Sequence, residues 1–380
     1  MRLAAAFVAA TLFAARAPAS DFESGRLQFQ RTCAPCHGQN MVNSGTTVYD
    51  LRKFPLDQPE RFYRSVAGGK GNMPAFGNAL DGEQIHVLWA YVRARGVPPS
   101  PLKVCLAEGN PPLSYKENGA ARGFDTAVAK AIAEAAGRPL ELVLFESKYE
   151  MDKTLAHEVN ALLSMGVCEL ASGFPLFESD LGAPGRATAR PPDYPGAPPP
   201  PKRAFVTLGR LAATRPYYAA AMGVITRDPA MKVEFLADLQ GYRVGAVTGT
   251  MAGSALELYR NGLLQKGIVT LSQQEDLLAA LDAGRFDATL TPLARFDAYR
   301  LRNPGTHLVR AKFVHPLRIN LGFVALENSA DTLAVANREI ERALASGELA
   351  KWAEELGVSW IAPQPPDVQP AFTMGSLRAE

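Results

Sequence analysis

The pentapeptide Cys33-Ala34-Pro35-Cys36-His37 constrains what this chain can fold into more than any other feature of the sequence. It has the form C-x-x-C-H, which places two thiols beside one imidazole. Each thiol can add to one vinyl group of a porphyrin, and the adjacent imidazole then meets the iron. A Zn²⁺ site is a poorer interpretation, because neither a second C-x-x-C nor an H-x-x-x-H pattern lies nearby. The motif therefore predicts one covalent haem c held by Cys33, Cys36 and His37.

A methionine in a proline-containing loop follows this motif. Met73 lies in the stretch Gly71-Asn72-Met73-Pro74-Ala75-Phe76, and Pro74 favours an extended turn over a helix. Such a loop can press a thioether against iron, and a Met ligand raises the reduction potential of a haem. A methionine buried in the core is the alternative. We interpret Met73 as the second axial ligand of the iron, opposite His37.

Helices are predicted on both sides of the motif. Upstream, three residues share one helical face, namely Phe22, Gly25 and Phe29. Downstream, an N-cap pattern precedes an apolar helical face, made of Asp81, Gln84, Ile85, Leu88, Trp89 and Val92. Residues 21–97 resemble a class I cytochrome c domain at Gly25, Phe29, Cys33, Cys36, His37, Met73, Pro74 and Tyr91. The resemblance implies a small all-α domain whose low-spin haem iron has His and Met ligands and carries electrons.

Residues 1–19 have the pattern of a secretory signal peptide. A charged start at Arg2 precedes an apolar run from Ala4 to Ala15, and Ala17-Pro18-Ala19 offers small residues for cleavage. The run is too short to span a bilayer as a mature helix. An Ala-rich tail and an uncleaved anchor are the alternatives. Because haem is attached to C-x-x-C-H in the bacterial periplasm, we expect cleavage, a periplasmic location and no membrane span afterwards.

The charge balance indicates little about partners. The chain has 40 Lys and Arg against 38 Asp and Glu, and removal of Arg2 and Arg16 with the signal would leave 38 against 38. A neutral chain gives no support for nucleic acid binding. A local charged patch could still dock a redox partner.

The chain is long enough for further domains after the first one. Residues 98–101 form a stiff Pro-rich linker, and 102–362 alternate between short apolar strands and helices. This alternation favours parallel strands with right-handed crossovers. Strands are predicted at 102–107, 140–144, 168–172, 243–247, 268–271, 284–290 and 319–326. Helices are predicted at 127–136, 153–165, from about 253, and at 274–283, 331–346 and 349–356.

The order of these elements resembles the type II periplasmic solute-binding proteins, in their amino-acid-receptor-like branch. The matching stretches are 111–115, 123–125, 214–218, 244–250 and 284–288, with the final helix pair. The resemblance implies two α/β lobes, about 102–215 with 320–362 and about 220–315, joined by crossing strands near 217–224 and 314–323. A small-molecule ligand would then lie in the cleft between the lobes, near Tyr115, Tyr217, Gly249 and Thr250. Residues 363–380 would be a tail.

Three stretches are similar to a sub-branch that is associated with quinoprotein alcohol dehydrogenases of the methanol-dehydrogenase type. They are Val104-Cys105, Gly166-Val167-Cys168-Glu169-Leu170 and Thr214-Arg215-Pro216-Tyr217-Tyr218. The resemblance implies a PQQ-dependent dehydrogenase, or another cytochrome, as redox partner. It also implies that the first and third strands are neighbours, which would bring Cys105 and Cys168 together as a disulfide in an oxidising compartment. Two buried free thiols are the alternative.

The departures from amino-acid receptors leave two functions open. Those receptors hold the ligand ammonium with an Asp where this chain has Leu290-Thr291-Pro292, and the ligand carboxylate with an Arg where it has Phe174-Pro175-Leu176-Phe177. A Pro-rich insertion, about 182–202, is either a docking loop or disordered, and we favour disorder. No catalytic motif is present, so we expect no enzyme. An electron-carrying accessory protein of a dehydrogenase is favoured, and a solute receptor with an appended haem is the alternative.

Overall fold

The computed structural model describes residues 21–42, 48–147, 154–372 and 374–378. The predicted signal peptide, 1–19, lies outside these ranges. The chain divides into two compact units, an amino-terminal unit, Met1–Ser100, and a carboxy-terminal unit, Pro101–Glu380. Among the residues described, no helix is both long and apolar enough to cross a membrane.

The amino-terminal unit is helical. Its helices are α1 Asp21–Thr32, α2 Ala34–His37, α3 Pro59–Gly68 and α4 Gly82–Arg93. The capping box that starts α4 is present, since the Asp81 carboxylate accepts from the backbone N–H of Gln84 and the Gln84 side chain accepts from the N–H of Asp81. Apolar residues of α1, α3 and α4 form one core, with Phe29, Leu88 and Tyr91 fully buried.

Helices α1 and α4 cross at a glycine. A Cβ atom added at Gly25 would lie 1.9 Å from the backbone oxygen of Val87 and 3.0 Å from Cβ of Tyr91. Only a residue without a side chain therefore lets the two backbones approach this closely. The buried rings of Phe22 and Phe29 stack on Tyr91 at centroid distances of 5.3 and 5.1 Å, on either side of this contact.

The carboxy-terminal unit is built on one nine-stranded mixed sheet that runs through two lobes. Its order is β12-β11-β13-β10-β14-β6-β1-β5, with β9 beside β14. The strands of this sheet are β1 Leu102–Ala107, β5 Leu140–Phe145, β6 Leu170–Pro175, β9 Leu211–Ala213, β10 Tyr218–Thr226, β11 Val244–Val247, β12 Ile268–Leu271, β13 Ala288–Pro292 and β14 Val309–Leu326. Smaller sheets contain β2 Gly109–Asn110, β3 Ser114–Glu117, β4 Ala120–Arg122, β7 Thr188–Ala189 and β8 Val206–Thr207.

Helices cover both faces of the sheet in each lobe. They are α5 Phe124–Ala136, α6 Leu155–Ser164, α7 Met251–Leu258, α8 Leu277–Asp282, α9 Leu293–Arg302, α10 Ala330–Ala345 and α11 Glu348–Glu355. In lobe 1, α5, α10 and α11 pack on one face and α6 on the other. In lobe 2, α7 packs on one face, and α8 and α9 on the other. This is the two-lobed α/β fold that the sequence predicts.

Strands β10 and β14 pass from lobe to lobe and pair antiparallel to each other. The sequence predicts β14 only from 319, whereas it is one strand of 18 residues. Strand β6 begins two residues later than predicted, and helix α9 is not predicted at all. Pro292 precedes α9 and is compatible with a helix start, because its missing N–H is not needed there.

A disulfide joins Cys105 and Cys168, whose Cα atoms lie 5.7 Å apart. Strands β1 and β6 are parallel neighbours, with Cys105 opposite Ala171, which brings the two cysteines together. Because the bridge closes a loop of 63 residues, the chain-entropy model assigns it about 4 kcal/mol of stabilisation.

The Pro-rich insertion is ordered, so the expectation of disorder is wrong. Strands β7 and β8 bracket it and pack on α6 through Ala161, Ala189 and Leu208. Arg203 donates to the carbonyl oxygens of Pro198 and Pro191 and pairs with Asp193. Prolines lack N–H donors, and this guanidinium supplies donors to their carbonyl groups instead.

The segment after residue 362 is part of the carboxy-terminal unit and not a free tail. We call residues 361–378 the C-terminal segment. It begins beside β10, where the Ala219 N–H donates to the oxygen of Ile361 over 3.0 Å. It ends in a short 3-10 helix, Met374–Arg378, whose Leu377 is buried in the core of lobe 2. The sequence does not predict this, because the anchoring residues are far from their partners along the chain.

Candidate functional site

The thiols of Cys33 and Cys36 lie at the start of helix α2, immediately after α1. Both are free, Cys33 half-buried and Cys36 exposed. Burial, with a smaller effect of Cys36, raises the pKa of the Cys33 thiol to about 11. The backbone N–H of His37 donates to the oxygen of Cys33 over 2.9 Å, so the short helix places both thiols and the imidazole together.

The imidazole of His37 is oriented by a backbone carbonyl. Its Nδ1 lies 3.2 Å from the oxygen of Tyr49, and an Nδ1–H donor in this contact leaves Nε2 free as a ligand. Burial lowers the pKa of His37, which favours the neutral imidazole that binds metal. Tyr49 cannot be identified from the sequence, because any residue can supply a backbone carbonyl partner.

Met73 lies in a tight turn that opens towards the same core. The backbone groups of Lys70 and Met73 exchange hydrogen bonds of 3.0 and 3.1 Å. Gly69 has φ +75°, and a Cβ there would lie 2.8 Å from the oxygen of Met73. The half-buried Met73 side chain packs against the core cluster, as do Cys33 and Ala34.

These residues fit a covalently attached haem. Cys33 and the half-buried Met73 pack against one aromatic-rich apolar cluster, and Cys36 and His37, whose Nδ1 is anchored, follow Cys33 within the same short helix. Thiols and vinyl groups, and imidazole or thioether with iron, are the donor chemistry that haem c requires. The roles of Met73 and His37 as axial ligands stay predictions.

Three residues expected at the interlobe cleft lie at strand ends and loops. Tyr115 is half-buried on β3, Gly249 is exposed with φ +73°, and Thr250 caps α7. The Thr250 hydroxyl accepts from the Gly253 N–H over 3.0 Å and donates to the oxygen of Val247 over 2.8 Å. The Thr250 hydroxyl therefore acts as the N-cap of α7. A ligand-binding role for Gly249 and Thr250 stays a prediction.

Tyr217, the fourth expected cleft residue, is instead inside lobe 1. It has no exposed surface, and its ring packs on Phe323 at 5.0 Å. Its hydroxyl donates to the Asp125 carboxylate over 2.8 Å and accepts from the Gly173 N–H over 2.9 Å. The assignment of Tyr217 to a ligand surface is therefore wrong, because the hydroxyl completes a buried network.

That network centres on a fully buried carboxylate. Asp125, in the first turn of α5, accepts from Tyr217 and from the Ser172 hydroxyl over 2.7 Å. Burial raises the pKa of Asp125 to about 6, although both hydrogen bonds act in the opposite direction. The three side chains tie α5, β6 and the entry to β10 together.

The C-terminal segment covers the carboxyl end of β6. The Gln369 N–H donates to the oxygen of Leu176 over 2.8 Å, and the Gln369 oxygen accepts from the Glu178 N–H over 3.0 Å. In open α/β sheets, ligands bind beyond the carboxyl ends of the strands. Here the C-terminal segment forms hydrogen bonds with the backbone groups of Leu176 and Glu178, just beyond the carboxyl end of β6.

Several buried polar atoms on the central strands lack hydrogen-bond partners within the residues described. They are the Tyr218 hydroxyl on β10, Oγ1 of Thr291 on β13, and Nε2 of His315 and Nε of Arg318 on β14. Arg318 lies opposite Ala221 where β14 crosses between the lobes. Polar atoms of this kind are candidates for contact with water or a solute.

Comparisons identify the amino-terminal unit. Residues 20–92 match the family model described as cytochrome C oxidase, cbb3-type, subunit III. Cytochrome c6 of Aphanizomenon flos-aquae is 40% identical over 77 residues, 19% of this chain and 88% of that protein. Cytochrome c6 of Microcystis aeruginosa is 41% identical over 71 residues, 18% of this chain and 88% of that protein. The cofactor of this unit is one covalently bound haem c.

The carboxy-terminal unit has relatives among solved structures. Substrate-binding domain 2 of GlnP from Lactococcus lactis, solved in an open conformation, has a TM-score of 0.50 at 14% identity. The match covers 69% of this chain and 97% of that one. At this identity the likeness shows the fold alone. The chain thus belongs to the cytochrome c family through its amino-terminal unit and continues into a domain with the two-lobed fold of periplasmic binding proteins.

Proposed function

We propose that this protein is a periplasmic electron carrier whose two-lobed domain docks to, or assists, a PQQ-dependent alcohol dehydrogenase of the methanol type. The observation that carries the proposal is the combination, in one chain, of haem-holding residues with a binding-protein fold that lacks the charged pair of an amino-acid receptor. We also propose that the chain itself performs no catalysis.

Each haem-holding residue has one task in this proposal. When bound, the haem supplies a one-electron redox centre of the outer-sphere type. Cys33 and Cys36 form the thioether bonds that make attachment permanent. His37, oriented by the Tyr49 carbonyl, and Met73, positioned by its tight turn, would supply the protein ligands to the iron. The apolar cluster against which Cys33 and Met73 pack would limit the access of water to the group.

Features of the carboxy-terminal unit favour docking to a partner protein over the binding of an amino acid between the lobes. At the position of the receptor Asp, Thr291 is buried on β13, and no carboxylate takes its place. Beyond β6, where receptors have an Arg, Phe177 instead contacts Phe372 of the C-terminal segment at 5.8 Å between ring centroids. The resemblance of Val104-Cys105 and 214–218 to the quinoprotein-associated branch supports the identity of the partner.

The decisive experiment follows the haem spectrum after mixing. The oxidised full-length holoprotein is combined with the reduced PQQ-dependent dehydrogenase of the same organism in a stopped-flow instrument. We expect haem reduction that saturates with dehydrogenase concentration and slows at high salt, since charged patches steer redox partners.

A reduced flavin-dependent dehydrogenase at equal concentration is the control for specificity. Equal reduction by both enzymes would show non-specific electron exchange and contradict the proposed partner. No reduction, together with no complex in analytical ultracentrifugation, would also contradict it. Separately, a Soret band in the cytoplasmic fraction and not the periplasmic one would overturn the location.

One specific observation favours a second function, a solute receptor for transport or sensing. The unpartnered Nε of Arg318 lies on a hinge strand, and an anionic solute in the interlobe cleft would satisfy it. This candidate predicts that a solute raises the unfolding temperature of the holoprotein in proportion to the logarithm of its concentration.

The variant Arg318→Gln separates the two functions. A receptor would lose most of its solute-dependent stabilisation in this variant, whereas electron transfer from the dehydrogenase would be unchanged. Unchanged stabilisation by the solute in Arg318→Gln would contradict the role of Arg318 as a ligand-binding residue.

A further inference from the structure

A groove of about 760 Å³ lies between the lobes at a place that neither function uses. Lobe 2 contributes residues of α9 and of the start of β14. Lobe 1 contributes Pro112 and the residues from Leu356 to Ser359, which follow α11. The groove is not lined by Tyr115, Gly249 or Thr250, so it is separate from the expected cleft. Its volume lies in the range of small-molecule sites.

Two arginines line this groove without a counter-ion of their own. Over the part of the chain that the structure describes, neither Arg300 nor Arg310 has a carboxylate within 4.0 Å. Other arginines of the same unit are paired, such as Arg243 with Asp287 at 2.7 Å. A second cavity of about 380 Å³ shares Arg300 and Arg310 and extends the groove towards Trp360.

One buried carboxylate, Asp297, lines the same groove and is already hydrogen-bonded. Asp297 accepts from the N–H and the hydroxyl of Ser359 over 2.7 and 2.8 Å. Burial raises the pKa of Asp297, and the charges of Arg300 and Arg310 act in the opposite direction. Asp297 forms no ion pair with either arginine within 4.0 Å, and its hydrogen bonds are donated by Ser359. The one other carboxylate that lines these cavities, Glu354, is exposed at the rim.

Apolar side chains form much of the remaining lining of the groove, together with the polar residues Asn303 and Thr306. Phe296 is buried beneath Arg300, whose guanidinium carbon lies 5.6 Å from the ring centroid. Leu301 and Leu356 are 46% and 41% exposed, one from each lobe, and Pro304 lies beside them. A groove with apolar walls and two unpaired guanidinium groups is suited to an anion that carries an apolar tail.

We infer that this groove binds a small organic monocarboxylate, with the carboxylate between Arg300 and Arg310 and the apolar part against Leu301 and Leu356. The ligand contacts both lobes and holds them together. Arg is the residue best suited to bind a planar carboxylate through two parallel hydrogen bonds. This inference does not depend on the redox partner of the haem.

Isothermal titration calorimetry on the full-length holoprotein tests the inference with hexanoate as the probe. We expect saturable binding of hexanoate, and weaker or no binding of hexan-1-ol and of inorganic phosphate. Arg300→Gln and Arg310→Gln should each weaken binding about tenfold, since a hydrogen bond to a charged group contributes on that order. Arg295→Gln is the matched control, because Arg295 is exposed on the same helix but does not line the groove.

Several results would overturn the inference. No saturable hexanoate binding in the wild-type protein would do so, as would equal binding in the Arg300→Gln and Arg310→Gln variants. Phosphate binding as tight as hexanoate would show a general anion site. Loss of binding in Arg318→Gln alone would place the carboxylate at the hinge strand. Circular dichroism of each variant without probe confirms that it is folded.

Discussion

At the scale of single residues, the predicted iron ligand Met73 is the side chain that we expect to have the largest effect on the reduction potential of the haem. We expect Met73→Ala to lower the midpoint potential by on the order of 100 mV, because axial ligands span roughly 0.8 V among haem proteins. Redox titration of the Soret band measures this. Met73→His should restore a six-coordinate spectrum at a lower potential than the wild type. Met165→Ala, at an exposed methionine of the other unit, is the control.

The buried carboxylate of Asp125 makes the stability of the carboxy-terminal unit depend on pH. Burial raises its pKa from the ordinary value of 3.8 to about 6 in the folded protein, so between these pH values the folded state binds more protons than the unfolded state. Stability from this group is therefore present at low pH and is lost as the pH rises through 6. The shift corresponds to about 3 kcal/mol at pH 7.

The variant Asp125→Asn keeps the size of the side chain and removes its titration. We expect it to gain up to about 3 kcal/mol relative to the wild type between pH 4 and pH 7. Urea unfolding of the carboxy-terminal unit in the holoprotein, at several pH values, measures this difference. Asp331→Asn, at an exposed position of α10, is the control. A difference that is the same at pH 4 and pH 7 would show that Asp125 does not titrate as described.

At the scale of elements, the crossing of α1 and α4 depends on Gly25. We expect Gly25→Ala to destabilise the amino-terminal unit by about 3 kcal/mol, because its methyl group overlaps the Val87 carbonyl group. Guanidinium unfolding followed at the Soret band measures the loss. Gly82→Ala is a matched control, since a Cβ there meets no atom within 4 Å. Equal stability of the two variants would disprove the close approach.

Most of the helices and strands can be predicted from the sequence. The order of the helices around Cys33 and His37, and the alternation of strands and helices after residue 101, follow from local patterns and are present. Helix α9, Leu293–Arg302, is not expected from the sequence because it follows strand β13 without a connecting loop and without a side-chain N-cap. The Pro-rich insertion has a defined conformation in which Arg203 donates hydrogen bonds to the oxygens of Pro191 and Pro198. The composition of the insertion does not predict these bonds.

At the scale of the whole carboxy-terminal unit, the C-terminal segment connects the two lobes. The amide of Asn320, on β14 and fully buried, donates to the oxygen atoms of Gln364, Pro366 and Asp367. Farther on, Leu377 fills part of the lobe 2 core. These contacts join residues 44 or more positions apart, which is why no local pattern predicts them. A two-lobed domain tied in this way should bend less at its hinge than one without the segment.

Gln369 is the point at which this restraint can be tested. Its side chain accepts from the Asn320 N–H over 2.9 Å and donates to the Arg318 oxygen over 3.1 Å, so it extends the pairing of β14 across the hinge. We expect Gln369→Ala to accelerate amide hydrogen exchange over residues 315–322 by about tenfold, since each lost bond contributes about 1 kcal/mol. Gln364→Ala is the matched control, because Gln364 uses only its backbone in these contacts. Mass spectrometry of peptic peptides gives the rates, and equal exchange in both variants would show that β14 keeps its hinge conformation without the segment.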